Sequence, residues 1–284
     1  MKKILLTGRN GQVGWELERA LAPLGQVVAF DHAALDLSQP GRIAAAVRDV
    51  RPDVVVNAAA YTAVDKAESD LAAATAINGE APGILAEEAK RVGALLIHYS
   101  TDYVFDGSKS GPYAEEDEPN PLNAYGRSKL AGERAIQAVG GHHLILRTTW
   151  IYGMRGHNFL RTILRLASER DELRIVDDQI GAPTWSRLVA EATGLVLTQA
   201  SPPEGLFHLT CRGEVSWCGF AEKVLEYTRK DRQREPRLTA IRTQDYPLPA
   251  ARPANSCLDC SRFSRQTGLV LPSWDEALRL CLGC

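Results

Sequence analysis

Near its start the chain carries the stretch Lys3-Ile4-Leu5-Leu6-Thr7-Gly8-Arg9-Asn10-Gly11-Gln12-Val13-Gly14. Its apolar first half is typical of a buried strand, and residues 15–24 beyond it have apolar side chains at helical spacing. A strand, a glycine turn and a helix in this order form the context in which backbone N–H groups bind the pyrophosphate of a dinucleotide. An ordinary turn is the alternative. The predicted cofactor residues of this turn are Gly8, Gly11, Gln12, Val13 and Gly14.

The chain up to residue 150 repeats this rhythm of strand and helix. Four further strands are predicted at residues 26–30, 54–57, 94–99 and 144–149, with helices between them. Such alternation predicts an α/β fold with a doubly wound, parallel sheet of the Rossmann type. We therefore expect a dinucleotide-binding domain over residues 1–150. The rhythm then changes, and residues 151–284 are predicted to form mainly a smaller C-terminal substrate-binding lobe, with some segments returning to the first domain.

Small or polar residues follow the second and third predicted strands, at the edge where open parallel sheets bind ligands. A carboxylate roughly 20 residues beyond the glycines accepts hydrogen bonds from the adenosine ribose in such folds, and Asp31 has this position. Asp36 fits either that role or a solvated loop. The small residues after the third strand let a flat ligand lie against the backbone. The predicted cofactor residues here are Asp31, Asp36, Leu37, Ala60, Tyr61 and Thr62.

A tyrosine and a lysine stand four residues apart in Tyr125-Gly126-Arg127-Ser128-Lys129, so they share one face of a predicted helix. The phenol of a free tyrosine has a pKa of about 10. A cation held beside it lowers that pKa and makes the phenol a proton donor and acceptor usable at pH 7. Thr101, at the end of the fourth strand, is placed to hold a substrate oxygen in line with the phenol. The alternative is an ordinary surface pair of tyrosine and lysine.

Composition excludes several other classes of protein. The 284 residues are 45% hydrophobic and 24% charged, with a formal net charge of −2 and no basic block, so nothing points to nucleic acid. No apolar run approaches the length of a membrane span. The glycine turn interrupts the short N-terminal apolar run too early for a signal peptide. With six cysteines and no such signal, we expect reduced thiols and a cytoplasmic location.

Taken together, the motifs resemble the extended short-chain dehydrogenase/reductase family. The motifs that carry the resemblance are Thr7-Gly8-x-x-Gly11-x-x-Gly14, Asp31, Asn57-Ala58-Ala59-Ala60, Ser100-Thr101-Asp102-Tyr103-Val104-Phe105-Asp106-Gly107 and Tyr125-x-x-x-Lys129. Three narrower strings are similar to the branch of this family that reduces a dTDP-linked 4-keto sugar. They are Ala60-Tyr61-Thr62-Ala63-Val64-Asp65, Gln179-x-Gly181-Ala182-Pro183-Thr184 and Arg252-Pro253-x-Asn255-Ser256. The resemblance spans nearly the whole chain.

The resemblance implies a reaction and a set of roles. NADPH or NADH would deliver hydride to C4 of a dTDP-4-keto-6-deoxy-L-hexose, a small-molecule sugar nucleotide, giving dTDP-L-rhamnose. Tyr125 would donate the proton, Lys129 would hold the nicotinamide ribose and lower the pKa of the tyrosine, and Thr101 would orient the carbonyl. Asp102 and Trp150 would contact the sugar, although a tryptophan at a strand end is also a common packing residue.

The resemblance leaves two other functions open. One is a sugar-nucleotide epimerase of the same fold that keeps NAD bound and recycles it. The other is a non-catalytic partner, because the regulatory subunit of methionine adenosyltransferase resembles the same reductases. The presence of Gly8, Gly11, Gly14, Thr101, Tyr125 and Lys129 favours an enzyme.

Neither the choice of cofactor nor the oligomeric state is fixed by the sequence. Asp31 favours NADH, whereas Arg9 could pair with the 2′-phosphate of NADPH, so we expect both to be accepted. The resemblance also implies a homodimer as an option, with Mg²⁺ at a contact built from glutamates. Glu16 and Glu191 are the candidates, but two surface glutamates are usually solvated, so no residue is assigned to Mg²⁺.

Cysteine pairs near the C-terminus form the one departure from the family pattern. Cys257 and Cys260 are followed 20 residues later by Cys281 and Cys284, at the edge of the spacing for a four-thiolate zinc site. Two short antiparallel helices would bring the four sulfurs together. Buried free thiols are the alternative. We expect no metal there and no dependence of catalysis on these residues.

Overall fold

The computed structural model describes the main chain of residues 1–284 and every side chain except that of Asp231. Its strands are β1 Lys2–Thr7, β2 Gly25–Phe30, β3 Val54–Asn57, β4 Leu95–Thr101, β5 His143–Thr148, β6 Ile151–Tyr152, β7 Glu172–Val176, β8 Ile180–Gly181, β9 Thr184–Trp185, β10 Gly205–His208, β11 Val215–Ser216 and β12 Arg237–Ile241. Its α-helices are α1 Gln12–Leu21, α2 Pro40–Val50, α3 Val64–Ala67, α4 Leu71–Thr75, α5 Ala81–Val92, α6 Ala124–Val139, α7 Phe159–Glu169, α8 Ser186–Thr198, α9 Trp217–Tyr227, α10 Ser261–Thr267 and α11 Trp274–Leu282. No helix among the described residues is long and apolar enough to cross a membrane.

Six strands form one parallel sheet in the order β10-β5-β4-β3-β1-β2. Successive side chains point to opposite faces, so Ile4 and Leu6 enter one apolar cluster and Leu5 enters the other. The first cluster is covered by α1, α8 and Phe263, and the second by α2, α5 and α6. The expected doubly wound, Rossmann-type α/β sheet is confirmed by this arrangement.

The five strands β1 to β5 bring their carboxyl ends to the same edge of the sheet. The glycine turn follows β1, Asp31 follows β2, Ala58 follows β3, Asp102 follows β4 and Thr149 follows β5. Because the sheet is parallel, these residues converge without any further constraint. This edge is where the candidate site lies.

A smaller body made from the C-terminal half stands over this edge. Its apolar core joins α7, α9, α11 and β7 through buried residues such as Leu160, Phe220 and Leu278. Three two-stranded pairings, β7 with β12, β8 with β11 and β6 with β9, connect its loops. Two later segments belong to the large sheet instead, since β10 pairs with β5 and α8 packs on α1.

Local sequence signals placed most elements within a few residues, and the differences have physical causes. β4 extends through Thr101 because Ser100 and Thr101 pair with Arg147 and Thr148 of β5. Residues 71–80 form α4 followed by a π-helical turn, Ala76–Glu80. β12 is a strand because β7 pairs with it along five residues.

Candidate active site

A cavity of about 730 Å³ opens at the carboxyl edge of the sheet. It runs from the glycine turn to the first turn of α6 and is closed on the far side by Trp217 of the lobe. Most of the residues predicted from the sequence line this one space. They are Gly8, Gly11, Gln12, Val13, Asp31, Leu37, Ala60, Thr62, Thr101, Asp102, Tyr125, Lys129 and Trp150.

Three predicted cofactor residues lie outside the cavity wall. Gly14 is buried beneath the turn, where an added Cβ would lie 2.1 Å from the Gly8 carbonyl oxygen, so its role is close packing of helix on turn. The Asp36 carboxylate accepts hydrogen bonds from the backbone N–H of Ser38 and the amide of Gln39. The Tyr61 hydroxyl donates to Asp70 at 3.0 Å and points away from the cavity.

Of the two charged residues predicted to set the choice of cofactor, Asp31 lines the cavity, whereas Arg9 lies outside its wall and is paired with Glu18. Asp31 lines the cavity, and hydrogen bonds from Ala34 N–H and Asn10 lower the pKa of its carboxyl. The Arg9 guanidinium lies 2.6 Å from the Glu18 carboxylate.

Tyr125 and Lys129 both face the cavity from the first turns of α6, and the structure corrects one expectation about them. Burial raises the pKa of Tyr125 to about 12, a hydrogen bond with Thr101 opposes the rise, and the Asp102 carboxylate adds to it. The Lys129 Nζ lies instead against the Tyr99 carbonyl oxygen at 2.6 Å and His98 Nε2 at 3.2 Å. The predicted lowering of the tyrosine pKa by Lys129 is therefore wrong for this arrangement.

Burial also shifts the pKa of the lysine. Desolvation lowers the pKa of Lys129 to about 8, and Glu133 on the same helix opposes this effect. Near neutral pH the site thus holds a protonated phenol beside a lysine that loses its proton within the physiological range.

Four buried oxygen atoms of cavity-lining residues find no hydrogen-bond partner among the described residues: Ser100 Oγ, Asp102 Oδ2, Thr148 Oγ1 and Thr149 Oγ1. An unpaired buried polar atom is unfavourable by about 1–3 kcal/mol, so such atoms mark a surface that a polar ligand completes. Asp102 is also held by the Thr101 hydroxyl at 3.1 Å. Its burial raises the pKa of its carboxyl to about 6.

Trp150 forms part of the cavity wall and is packed on both faces. Its ring stacks on Trp217 with centroids 3.4 Å apart and planes inclined by 8°. The other face covers Gly181, where an added Cβ would lie 2.6 Å from the indole. Its backbone is left-handed, with φ of 46°, a strained conformation for a bulky residue. The structure shows the packing role of Trp150, and its contact with the sugar stays a prediction.

A second cavity, of about 570 Å³, adjoins the first and shares Tyr103 and Trp217 with it. Its floor is apolar, formed by side chains such as Phe159, Ile163 and Leu173, and arginines line it as well, among them Arg170 and Arg174. Arg252 reaches it from the Arg252-Pro253 motif. This guanidinium makes a two-pronged ion pair with Asp65, both N···O distances being 2.6 Å.

Sequence reasoning missed several residues of this region. Tyr103 lies edge-on to Tyr125, with ring centroids 5.7 Å apart, and its motif had been noted without a role. Trp217 begins a helix of the lobe and gives no local signal of a site. His157 lines the first cavity from a loop after β6. His98 is buried in the middle of an apolar strand, where only the strand register reveals its partners.

The cysteines and glutamates considered for metals lie apart from this site. All six cysteines are free in the described structure. Cys260 contacts Thr210 at 3.3 Å and Cys257 lies beside Glu214, whereas Cys284 is exposed. The described residues contain no group of three or more metal-binding side chains. Glu16 faces Arg187 at 3.4 Å, and nothing supports a Mg²⁺ ion.

Comparison with known proteins is consistent across sequence and structure. The model of the RmlD substrate binding domain family matches residues 1–283. A dTDP-4-dehydrorhamnose reductase of Burkholderia thailandensis is 53% identical, over 99% of this chain and 98% of its own. The enzyme of that name from Escherichia coli is 47% identical, over 98% and 96%. A crystal structure of dTDP-4-dehydrorhamnose reductase from Bacillus anthracis in complex with NADP superposes with a TM-score of 0.93 at 34% identity, covering 99% and 98% of the two chains. The chain therefore belongs to the RmlD substrate binding domain family, the family of the dTDP-4-dehydrorhamnose reductases.

Proposed function

We propose that this protein reduces the C4 ketone of dTDP-4-dehydro-L-rhamnose to dTDP-L-rhamnose with NADPH or NADH, in nucleotide-sugar biosynthesis. The observation that carries the proposal is the convergence of Tyr125, Thr101 and Lys129 with unpaired polar oxygens in one cavity that also contains the glycine turn. Membership of the reductase family supports the same reaction.

The cofactor residues are proposed from the shape of the cavity. Backbone N–H groups at Gln12 and Val13, at the start of α1, suit the pyrophosphate because a helix N-terminus favours anions, whereas the Gly11 N–H donates to the Gly8 carbonyl oxygen at 2.9 Å. Asp31 is placed for the adenosine ribose and Lys129 for the nicotinamide ribose. Bound there, the dinucleotide supplies the hydride.

The proton is proposed to come from Tyr125. A donor must be protonated before the reaction, and the raised pKa keeps this phenol protonated at pH 7. Thr101 lies beside it, and its hydroxyl, which donates to Asp102 in the structure, can turn to donate a second hydrogen bond to the carbonyl oxygen as negative charge develops there. The proposed step therefore does not need a lowered tyrosine pKa. The buried phenol keeps its proton until the alkoxide that forms on the substrate, a stronger base than the phenolate, takes it.

The sugar nucleotide is proposed to span both cavities. Its hexose would lie between Tyr125 and the exposed edge of the Trp150 indole, with Asp102 accepting hydrogen bonds from its hydroxyls. The thymine base would pack on the apolar floor of the second cavity, and Arg252 would bind a phosphate oxygen. The division into a cofactor domain and a substrate lobe follows from these two positions. The expected homodimer stays a prediction, which analytical ultracentrifugation would test.

The direct test is the loss of NADPH or NADH absorbance when dTDP-4-dehydro-L-rhamnose is added to the purified protein. We expect stoichiometric conversion to dTDP-L-rhamnose, identified by mass and NMR. Tightly retained NAD with no net consumption of reduced cofactor would favour the epimerase. A protein that neither consumes reduced cofactor nor retains NAD, but co-purifies with a second protein, would favour the non-catalytic partner.

The paired charges at the adenosine end predict weak selectivity between the two cofactors. We expect kcat/KM for NADPH and NADH to differ by less than about tenfold. Glu18→Gln should free Arg9 and lower the KM for NADPH alone, by up to about fivefold, because a partly exposed ion pair contributes at most about 1 kcal/mol.

Arg9→Gln is the matched control for this prediction. It should leave the KM for NADH unchanged and abolish the gain in the Glu18→Gln background. A thousandfold preference of the wild-type protein for either cofactor would show that Asp31 or Arg9 does not face the 2′ position.

A further inference from the structure

A row of buried polar side chains crosses the middle of the sheet. Thr7, Asn57 and His98 are direct neighbours in the parallel pairings of β1 with β3 and β3 with β4. Each is about 1% exposed, in strands that are otherwise apolar. The row ends at Lys129, whose Nζ lies 3.2 Å from His98 Nε2. Strand register therefore connects the proposed catalytic lysine to Thr7 and Asn57, which belong to the quoted motifs, and to His98, which no motif had singled out.

With the Asn57 amide oriented as in the structure, the hydrogen-bond partners imply one arrangement of the protons. The Ala59 N–H donates to Thr7 Oγ1, and Thr7 donates to Asn57 Oδ1 at 2.6 Å. The Asn57 amide NH₂ then faces His98 Nδ1 at 3.0 Å, so Nδ1 accepts. A neutral ring accepting at Nδ1 carries its proton on Nε2 and points it at Lys129. Only an uncharged amine has a lone pair to accept it.

A charged Lys129 demands the opposite arrangement. An ammonium can only donate, so His98 Nε2 must accept and Nδ1 must carry the ring proton. The Asn57 amide then turns its oxygen towards Nδ1 and its NH₂ towards Thr7 Oγ1. Each nitrogen of the ring again has a complementary partner. The same three side chains can therefore satisfy a buried lysine in both charge states.

We propose that His98 is a positioning residue for Lys129 and that its neutral ring changes tautomer, together with the Asn57 amide, when Lys129 gains or loses a proton. This inference rests on the proposed function for its catalytic meaning and on the geometry for the tautomer change. On deprotonation Nε2 takes a proton from Lys129 and Nδ1 gives up its own, so one proton in all is released to solvent and the ring stays neutral before and after the change. Such a device matters because a buried ammonium or amine left without a partner is strongly unfavourable.

The other groups around Lys129 do not duplicate this role. The Tyr99 carbonyl oxygen accepts from Nζ in either charge state. Glu133 favours the ammonium from the same helix, but its carboxylate is held by Arg147 of β5 through two hydrogen bonds. Burial and the neighbouring lysine keep the pKa of His98 well below its usual value, so the ring stays neutral. Tyr125 faces the cavity one helical turn away.

The tautomer change can be measured without any substrate. The ¹⁵N chemical shifts of imidazole nitrogens distinguish the protonated from the unprotonated one, and His98 is assigned by difference with His98→Gln. From pH 6 to pH 10 the proton should move from Nδ1 to Nε2, with a midpoint near the pKa of about 8 of Lys129. In Lys129→Met the transition should vanish. A single tautomer across this range, or the same transition in Lys129→Met, would overturn the proposal.

Two variants test the role in catalysis. His98→Leu fills the space but offers no partner, and we expect kcat to fall at least about tenfold, with the alkaline limb of the kcat profile moving to lower pH. His98→Gln places a rotatable amide near Lys129. It should keep kcat within about threefold of the wild-type value and return the alkaline limb of the kcat profile to its wild-type position. Equal profiles for Leu, Gln and wild type would contradict a positioning role. If the wild-type protein reduces no sugar nucleotide, the proposed function fails while the NMR titration still decides this inference.

Discussion

Tyr125→Phe is expected to lower kcat by about 10²-fold or more, the range that general acids contribute. The substitution keeps the buried ring and its edge-on contact with Tyr103 and removes only the hydroxyl. Since the glycine turn is untouched, the Kd for NADPH should stay within about twofold of the wild-type value. Initial rates and a fluorescence titration with NADPH measure the two quantities separately.

Tyr227→Phe is the matched control, because it removes a hydroxyl that donates to Asp275 in the lobe, away from the cavity. We expect its kcat to equal that of the wild-type protein. Near-normal turnover by Tyr125→Phe would end the assignment of this phenol as the proton donor. Equal losses in both variants would point to a general effect of losing a phenol.

Asp102→Asn is expected to stabilise the fold at pH 7 and to impair reduction of the sugar nucleotide. The folded-state pKa of Asp102, about 6, lies above the ordinary value of 3.8, because burial disfavours the carboxylate. When the pKa of an acid is higher in the folded state than in the unfolded state, its favourable contribution to folding is complete below pH 3.8 and is lost as the pH rises through 6. The ionised side chain thus destabilises the protein at pH 7 by at most about 3 kcal/mol, which a neutral amide avoids.

Urea unfolding at pH 7 and at pH 4 measures this effect. We expect the free energy of unfolding of Asp102→Asn to exceed that of the wild-type protein by about 1–3 kcal/mol at pH 7, and the difference to shrink at pH 4. Asp106→Asn is the control of opposite sign. Hydrogen bonds from Ser108, Asn120 and Tyr113 hold the pKa of Asp106 well below its usual range, so its loss should destabilise the protein at pH 7. A destabilised Asp102→Asn would contradict the account.

The parts of the site that the sequence predicted are those with local signals. The glycine turn needs a strand before it and a helix after it, and both follow from apolar spacing in one short stretch. Tyr125 and Lys129 share a helix face whatever surrounds them. The convergence of Asp31 and Thr101 followed from one rule, that parallel strands bring their carboxyl ends to the same edge.

The parts that the sequence did not predict depend on contacts between distant segments. The raised pKa of Tyr125 comes from how deeply the closed site buries it, which no helix spacing reveals. Trp217 reaches Trp150 only because the lobe folds back over the sheet. His98 meets Asn57 through strand register, and a one-residue shift would turn it to the other face.

The large sheet is completed by β10, a strand that comes late in the chain, after the segments that begin the lobe. It pairs with β5 as the outermost strand, and α8 covers the face beneath α1, although residues 151–185 before them build the lobe. A nascent chain that has emerged only to residue 150 exposes the open edge of β5 and an uncovered apolar face, the features that favour aggregation. We therefore expect residues 1–150 alone to aggregate, and a truncated version of this protein to need β10 and α8 to remain soluble.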